Sequence, residues 1–183
     1  MVKRSRWWSR SRGLPHDTYA AWAASLAADP GRQVRILAWA RLTAASSPVG
    51  FCVGSPSVLS FGRETSWTHV GWHRIEVGGW DQETGRLSWT LYGGERGAVE
   101  LGEPGRLPEL FRERVAASIV LEKFVPIIGN RGVLISGRRD LGSFDAPITW
   151  NSTLTSGLSW QTDGVQAAAD EAVAMVRTEY DMG

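Results

Sequence analysis

Between residues 33 and 101, short apolar segments follow one another with only turn-length gaps, and this spacing constrains the fold more than any other feature of the chain. In "QVRILAWARL" (33–42), Val34, Ile36, Ala38 and Ala40 fall on one side and Arg35, Leu37, Trp39 and Arg41 on the other. A period of two is that of a strand with one face against a core. "VGFCVGS" and "SVLSFG" flank a Ser-Pro-Ser turn and read as an antiparallel pair. "SWTHVGWHRIEVGGWD" reads as one long or bent strand, with Gly78-Gly79 placed for a bulge or turn. Asp81 to Gly85 then turns the chain into "RLSWTLYG", and Gly93 to Gly97 turns it into "AVELG". Five or six strands with hairpin-length connections predict an antiparallel sheet that curls into a barrel or sandwich.

Helical segments flank this block. "PHDTYAAWAASLAADPG" predicts a helix within 14–31, capped by Asp17 or Thr18 and stopped by Asp29-Pro30-Gly31, with Tyr19, Trp22 and Leu26 on one stripe. A second helix is expected to open at Pro108 and end before Pro126. At 100° per residue Leu107, Leu110, Phe111, Val115, Ala117, Ser118, Leu121 and Val125 share a broad face, into which Arg114 and Glu122 intrude. Eight residues of helix put those two charges about 12 Å apart along the axis, so they are not each other's partner. Arg114 is then expected either in a structural ion pair or in contact with an anion. From 126 to 183 two strands, "RGVLISGRRD" and "APITWNSTL", precede a last helix with Val165, Ala169, Ala172 or Val173 and Val176 on one side. "GRRD" at 137–140 reads as a solvated hairpin end. The expected organisation is a basic tail at 1–13 and a single domain over 14–183, with the strand block and main helix at 33–125.

Strands in antiparallel succession closed by one amphipathic helix resemble the ground plan of the pleckstrin-homology-like class. "RILAWARL" looks like the opening strand of its small bacterial members, and "VGWHRIEVGGWD" resembles their aromatic-x-x-Ile segment leading into a Trp-Asp turn. "LPELFRERVAASIVLEKFVP" looks like the closing helix of actinobacterial proteins of this class. The resemblance covers about 33–150. It implies an α+β fold: an antiparallel curved sheet or barrel closed by an amphipathic helix, with further helices at the N- and C-terminal ends. A fold of this kind does not by itself assign an activity. In the family, phosphoinositide binding resembles a basic pocket beside the first hairpin loop. Here that loop, Thr43 to Pro48, holds no Lys or Arg and Arg41 is the nearest base, a departure that counts against such recognition.

Ten tryptophans are spread along the chain. They read first as structural residues on sheet faces, with some available to line a ligand groove. The lone Cys52 sits in an apolar run, excludes an intrachain disulfide and reads as a buried, inert thiol. No stretch approaches the length of a membrane-spanning helix, and no apolar core follows the N-terminal charges as in a secretory signal. The expectation is a cytoplasmic protein.

Catalytic and metal signatures are sparse. His69 and His73 on a straight strand stand about 13 Å apart and cannot chelate one ion. No acid or cysteine completes a ligand set beside them, so no metal is expected. No Gly-x-Ser-x-Gly elbow and no phosphate-cradling loop occurs, and no cofactor is expected.

The tail "RSRWWSRSRG" at 4–13 is the strongest local charge feature. Lys3, Arg4, Arg6, Arg10 and Arg12 stand without an acid among them, and the rest of the chain holds 15 basic against 19 acidic side chains. A body of that sign argues against nucleic acid as its partner. Arg4, Arg6, Trp7, Trp8, Arg10 and Arg12 have the composition for contact with an anionic surface, at about 1 kcal/mol per basic residue. The same residues also suit single-stranded nucleic acid, or a solvated or back-docked tail. The reading adopted is a non-enzymatic cytoplasmic binding or scaffold module working through a protein partner. Its alternative is a peripheral adaptor held at the inner membrane face by this tail. The partner and the oligomeric state are left open.

Overall fold

The computed structural model describes residues 13–26, 34–43 and 50–182. It has mixed α+β character, with three antiparallel sheets and helices near both ends. The chain divides into two compact units, Met1–Val115 and Ala116–Gly183.

The first unit begins with α1 (His16–Leu26). It starts just before the expected cap, with the Tyr19 N–H donating to the Pro15 carbonyl at 2.9 Å. The predicted stripe is the face that packs. Trp22 is fully buried with Leu14, Ile36, Phe51 and Val53, and Tyr19 and Leu26 lie against that cluster.

Four strands form one sheet in sequence order: β1 (Ala38–Arg41), β2 (Phe51–Gly54), β3 (Val58–Arg63) and β4 (Ser66–Gly71). The Ser-Pro-Ser turn falls where expected, and the Ser55 N–H donates to the Val58 carbonyl across it at 2.9 Å. The segment read as one long strand is two. A single 3₁₀ turn at Trp72–Arg74 separates β4 from β5 (Ile75–Asp81), which joins β6 (Arg86–Leu91) and β7 (Arg96–Glu100) in a second sheet. Burial of Trp72, whose indole N–H donates to the Ser55 carbonyl at 3.0 Å, pins that corner. The bulge falls at Ile75/Val77 rather than at the glycine pair.

Of the expected barrel or sandwich, no closed barrel is found among the described residues: the strands of this unit form two sheets, of four and three strands. The corner at Trp72–Arg74 joins them on one side. An isolated antiparallel bridge, Leu42 with Leu101, joins the chain after β1 to the chain after β7.

The helix α2 (Leu107–Ala117) buries Leu107, Pro108, Leu110 and Phe111, four positions of the apolar face read from the sequence or beside it. It sits where two glycines clear space. A β-carbon at Gly54 of β2 would meet Leu110 at 2.5 Å, and one at Gly78 of β5 would meet Phe111 at 2.6 Å. Phe111 also stacks edge-on to Trp72, centroids 6.0 Å apart.

This helix is shorter than predicted. From Ile119 the chain is a strand, β8 (Ile119–Ile128), so the second unit holds three strands where two were expected. The stretch satisfies two periods at once. Its helical stripe is real, but Ile119, Leu121, Lys123, Val125 and Ile127 also alternate with more exposed neighbours from Glu122 onward. Pairing with β9 (Arg131–Arg139) decides the matter, aided by the β-branched content of the segment. The hairpin closes through Gly129-Asn130, with Gly129 at φ +60°. β10 (Ile148–Leu154) completes the sheet in the order β10-β9-β8. The helix α3 (Val165–Asp181) buries Val165, Ala169, Ala172 and Val176, the expected stripe; the last three pack with Val133 and Ile135. The Lys123 ammonium pairs with the Glu179 carboxylate, and Tyr180 stacks edge-on with Trp150.

Candidate functional site

The β5–β6 hairpin ends in a tight turn organised by Asp81. Its carboxylate accepts hydrogen bonds from the Glu83 and Thr84 N–H groups at 2.9 and 3.2 Å. Hydrogen bonding, chiefly from Thr84, holds this carboxyl below its ordinary range despite full exposure. Gly85 takes φ +63°, which a side chain would oppose, and its carbonyl accepts from the Leu101 N–H at 2.8 Å. Trp80, one residue before Asp81, lines a cleft shared with the segment that leads into α2.

That segment is anchored at both ends. The Gly102 N–H donates to the Arg41 carbonyl at 2.9 Å, and the Leu107 N–H donates to the Pro104 carbonyl at 3.0 Å. With Leu107, Leu110 and Phe111 turned into the core, the helix leaves Glu109 and Arg112 exposed on its outer side.

Between hairpin, segment and helix lies a cleft of about 530 Å³. Trp80, Gln82 and Gly85 line it from the hairpin; Gly102, Pro104 and Gly105 line it from the segment. Pro108, Glu109 and Arg112 close it from α2. Among the described residues, Glu109 and Arg112 hold no ion pair with each other or with a third group. The cleft thus offers a half-buried indole, exposed glycines at 102 and 105, and a charge of each sign that holds no ion pair among the described residues. No nucleophile stands against a base among these lining residues.

A shallower trough of about 480 Å³ crosses the outer face of the β5-β6-β7 sheet. Gly79, Ser88 and Ala98 are in register across it, and Arg86 and Arg96 stand at its ends.

The charged residues singled out in the sequence are distributed as follows. Arg114 donates from Nη2 to the Pro56 carbonyl at 2.9 Å, fastening α2 to the β2–β3 turn. Its Nε is buried without a hydrogen-bond partner among the described residues. Glu122, read as a neighbour on the same helix face, belongs to β8 instead. The tail residues Arg4, Arg6, Trp7, Trp8, Arg10 and Arg12 lie outside the described residues. The "GRRD" end is not solvated. Arg138 is only 3% exposed, with Nε and Nη1 donating to Ser136 Oγ and Ser118 Oγ at 3.0 and 3.1 Å. Glu122 lies 3.8 Å from its Nη2.

One Ser–His contact escaped the sequence reading. Ser60 and His69 face each other across the β3–β4 hairpin, with Ser60 Oγ 2.9 Å from His69 Nδ1. The only sequence signal is their position at equal distances from the Glu64-Thr65 turn. Burial pushes the His69 imidazole below its ordinary pKa, partly offset by a hydrogen bond with the Ser25 backbone. Ser60 is completely buried, so this pair is an interior hydrogen bond rather than a nucleophile and its base. Burial likewise drives the Cys52 thiol far above its ordinary range.

Among the described residues no group of three His, Cys, Asp or Glu side chains is arranged to hold a metal, and no helix is long and apolar enough to cross a membrane. Comparison of the chain with protein-family models, curated proteins and solved structures finds no match.

Proposed function

We propose that this chain is a non-enzymatic binding module that holds an extended segment of a partner protein in the cleft between Trp80 and α2, on a pleckstrin-homology-like frame. The frame is supported by the element order: four antiparallel strands, three more, then a helix seated over Gly54 and Gly78. The functional reading rests on the cleft itself. Its volume suits a few side chains, and its aromatic and backbone surfaces are those used to hold extended peptides.

The test is to select nonapeptides from a random displayed library on the full chain and map the best by amide chemical-shift changes. Gly85, Gly102 and Gly105 should move most, since these residues line the cleft. Shifts confined to the β5-β6-β7 outer face or to the second unit would defeat this assignment.

A further inference from the structure

The charges around the cleft identify the class of segment it takes. Asp81 and Glu83 flank the lining residue Gln82 in the chain, and Glu103 lies between Gly102 and Pro104. Glu109 is itself a lining residue. All four carboxylates are exposed. The opposing cations are fewer. Among the described residues Arg112 is the guanidinium that lines the cleft, Arg86 follows the lining residue Gly85 in the chain, and Arg106 is already held by both carboxylate oxygens of Glu113, at 3.1 and 2.8 Å. A concave surface with an excess of one sign focuses its field on the opening and attracts the opposite sign. An indole within that surface adds a second term for a cation, since arginine and lysine are drawn to aromatic faces.

We infer that the partner segment is basic: an extended stretch whose Arg or Lys side chain enters beside Trp80 and pairs with Glu109. Arg112, one turn further along α2, then meets the segment's carbonyls or an acidic side chain and sets its direction. This inference rests on the assignment of the cleft as a peptide site.

The experiment uses the full chain and dye-labelled nonapeptides in three matched sets, bearing two arginines, two citrullines or two glutamates, read by fluorescence anisotropy. The arginine set should bind at least about tenfold more tightly than the citrulline set at low salt, with the advantage shrinking as salt shortens the Debye length. Glu109→Lys and, independently, Glu103→Lys should each reduce arginine-peptide affinity by about tenfold. Glu171→Lys on α3 makes the same charge change elsewhere and should leave it unaltered. Circular dichroism confirms that each variant is folded.

Equal affinity for all three sets, lost with Trp80→Phe or Glu109→Lys, would overturn the basic class while the peptide site stood. Arginine peptides whose binding ignores both cleft substitutions would overturn it too, and so would an absence of binding, which would also remove the peptide site. Binding seen only when Arg4, Arg6, Arg10 and Arg12 are replaced by Gln would assign the cleft to the chain's own basic segment and overturn the partner.

Discussion

Gly78 makes room for the tip of the Phe111 ring: a β-carbon at Gly78 would stand 2.6 Å from Phe111 Cζ and 2.7 Å from the Ser88 carbonyl oxygen. The bare backbone on β5 is what lets α2 settle onto the second sheet. Gly78→Ala should therefore destabilise the protein by about 1–3 kcal/mol through overpacking, read as a lower urea midpoint. The neighbouring Gly79→Ala is the control. A β-carbon there meets nothing within 4 Å, so the change should stay within about 0.5 kcal/mol.

Phe111 is the side chain that the glycine accommodates, and it is buried against Trp72. Phe111→Ala should cost about 3–5 kcal/mol, and Phe111→Leu distinctly less because most of the volume is kept. Chemical denaturation of the three proteins checks the order.

The buried Arg138 joins Ser136 and Ser118 through separate N–H groups. Arg138→Lys should destabilise by about 1.5–3 kcal/mol despite keeping the charge, because one ammonium on a flexible stem does not reproduce the planar fork. A Lys variant as stable as the parent would show that the fork geometry is dispensable.

His69 is held in its neutral form by burial, so its folded pKa lies below the unfolded value. The unfolded chain then binds more protons as the medium turns acidic. The contribution of His69 to stability is complete above the unfolded pKa, near 6.5, and is lost as pH falls through the folded pKa. Urea midpoints of the parent should drop between about pH 7.5 and pH 5, and the drop should be smaller in His69→Gln. Identical pH dependence in both proteins would contradict this role.

Cys52 is fully buried and its thiol is raised far above the ordinary range. It should react with a disulfide reagent only at the rate of opening, orders of magnitude slower than in urea, because both thiolate and access are missing in the folded protein. Prompt stoichiometric reaction under native conditions would place the thiol at the surface.

Local patterns carried much of the fold. The two-residue period and short turns of 33–100 identified β2, β3, β6 and β7, because hairpin pairing is a property of adjacent segments. The stripes of Tyr19, Trp22 and Leu26 and of Val165, Ala169, Ala172 and Val176 were equally legible, since one face of a helix is spelled out in order along the chain. Where two periods overlapped, at 107–128, local reading carried the helix too far. The Gly129-Asn130 turn is a local signal for the β8–β9 hairpin, but the helical stripe runs over the same residues, and pairing with β9 is what satisfies the backbone of β8 as a strand.

Sequence alone determined the α+β class, the place of many strands and helices along the chain, and the helix faces that pack. Tertiary structure decided the rest: that the strands of the first unit form two sheets and no closed barrel, that Arg138 is interior, and that Ser60 meets His69. It also decided that Trp80, Gly102 and Arg112 border one cleft. These residues are separated by ten or more positions, and no periodicity links them. Their proximity follows from where α2 comes to rest, which the missing side chains of Gly54 and Gly78 permit and the burial of Leu107, Leu110 and Phe111 drives.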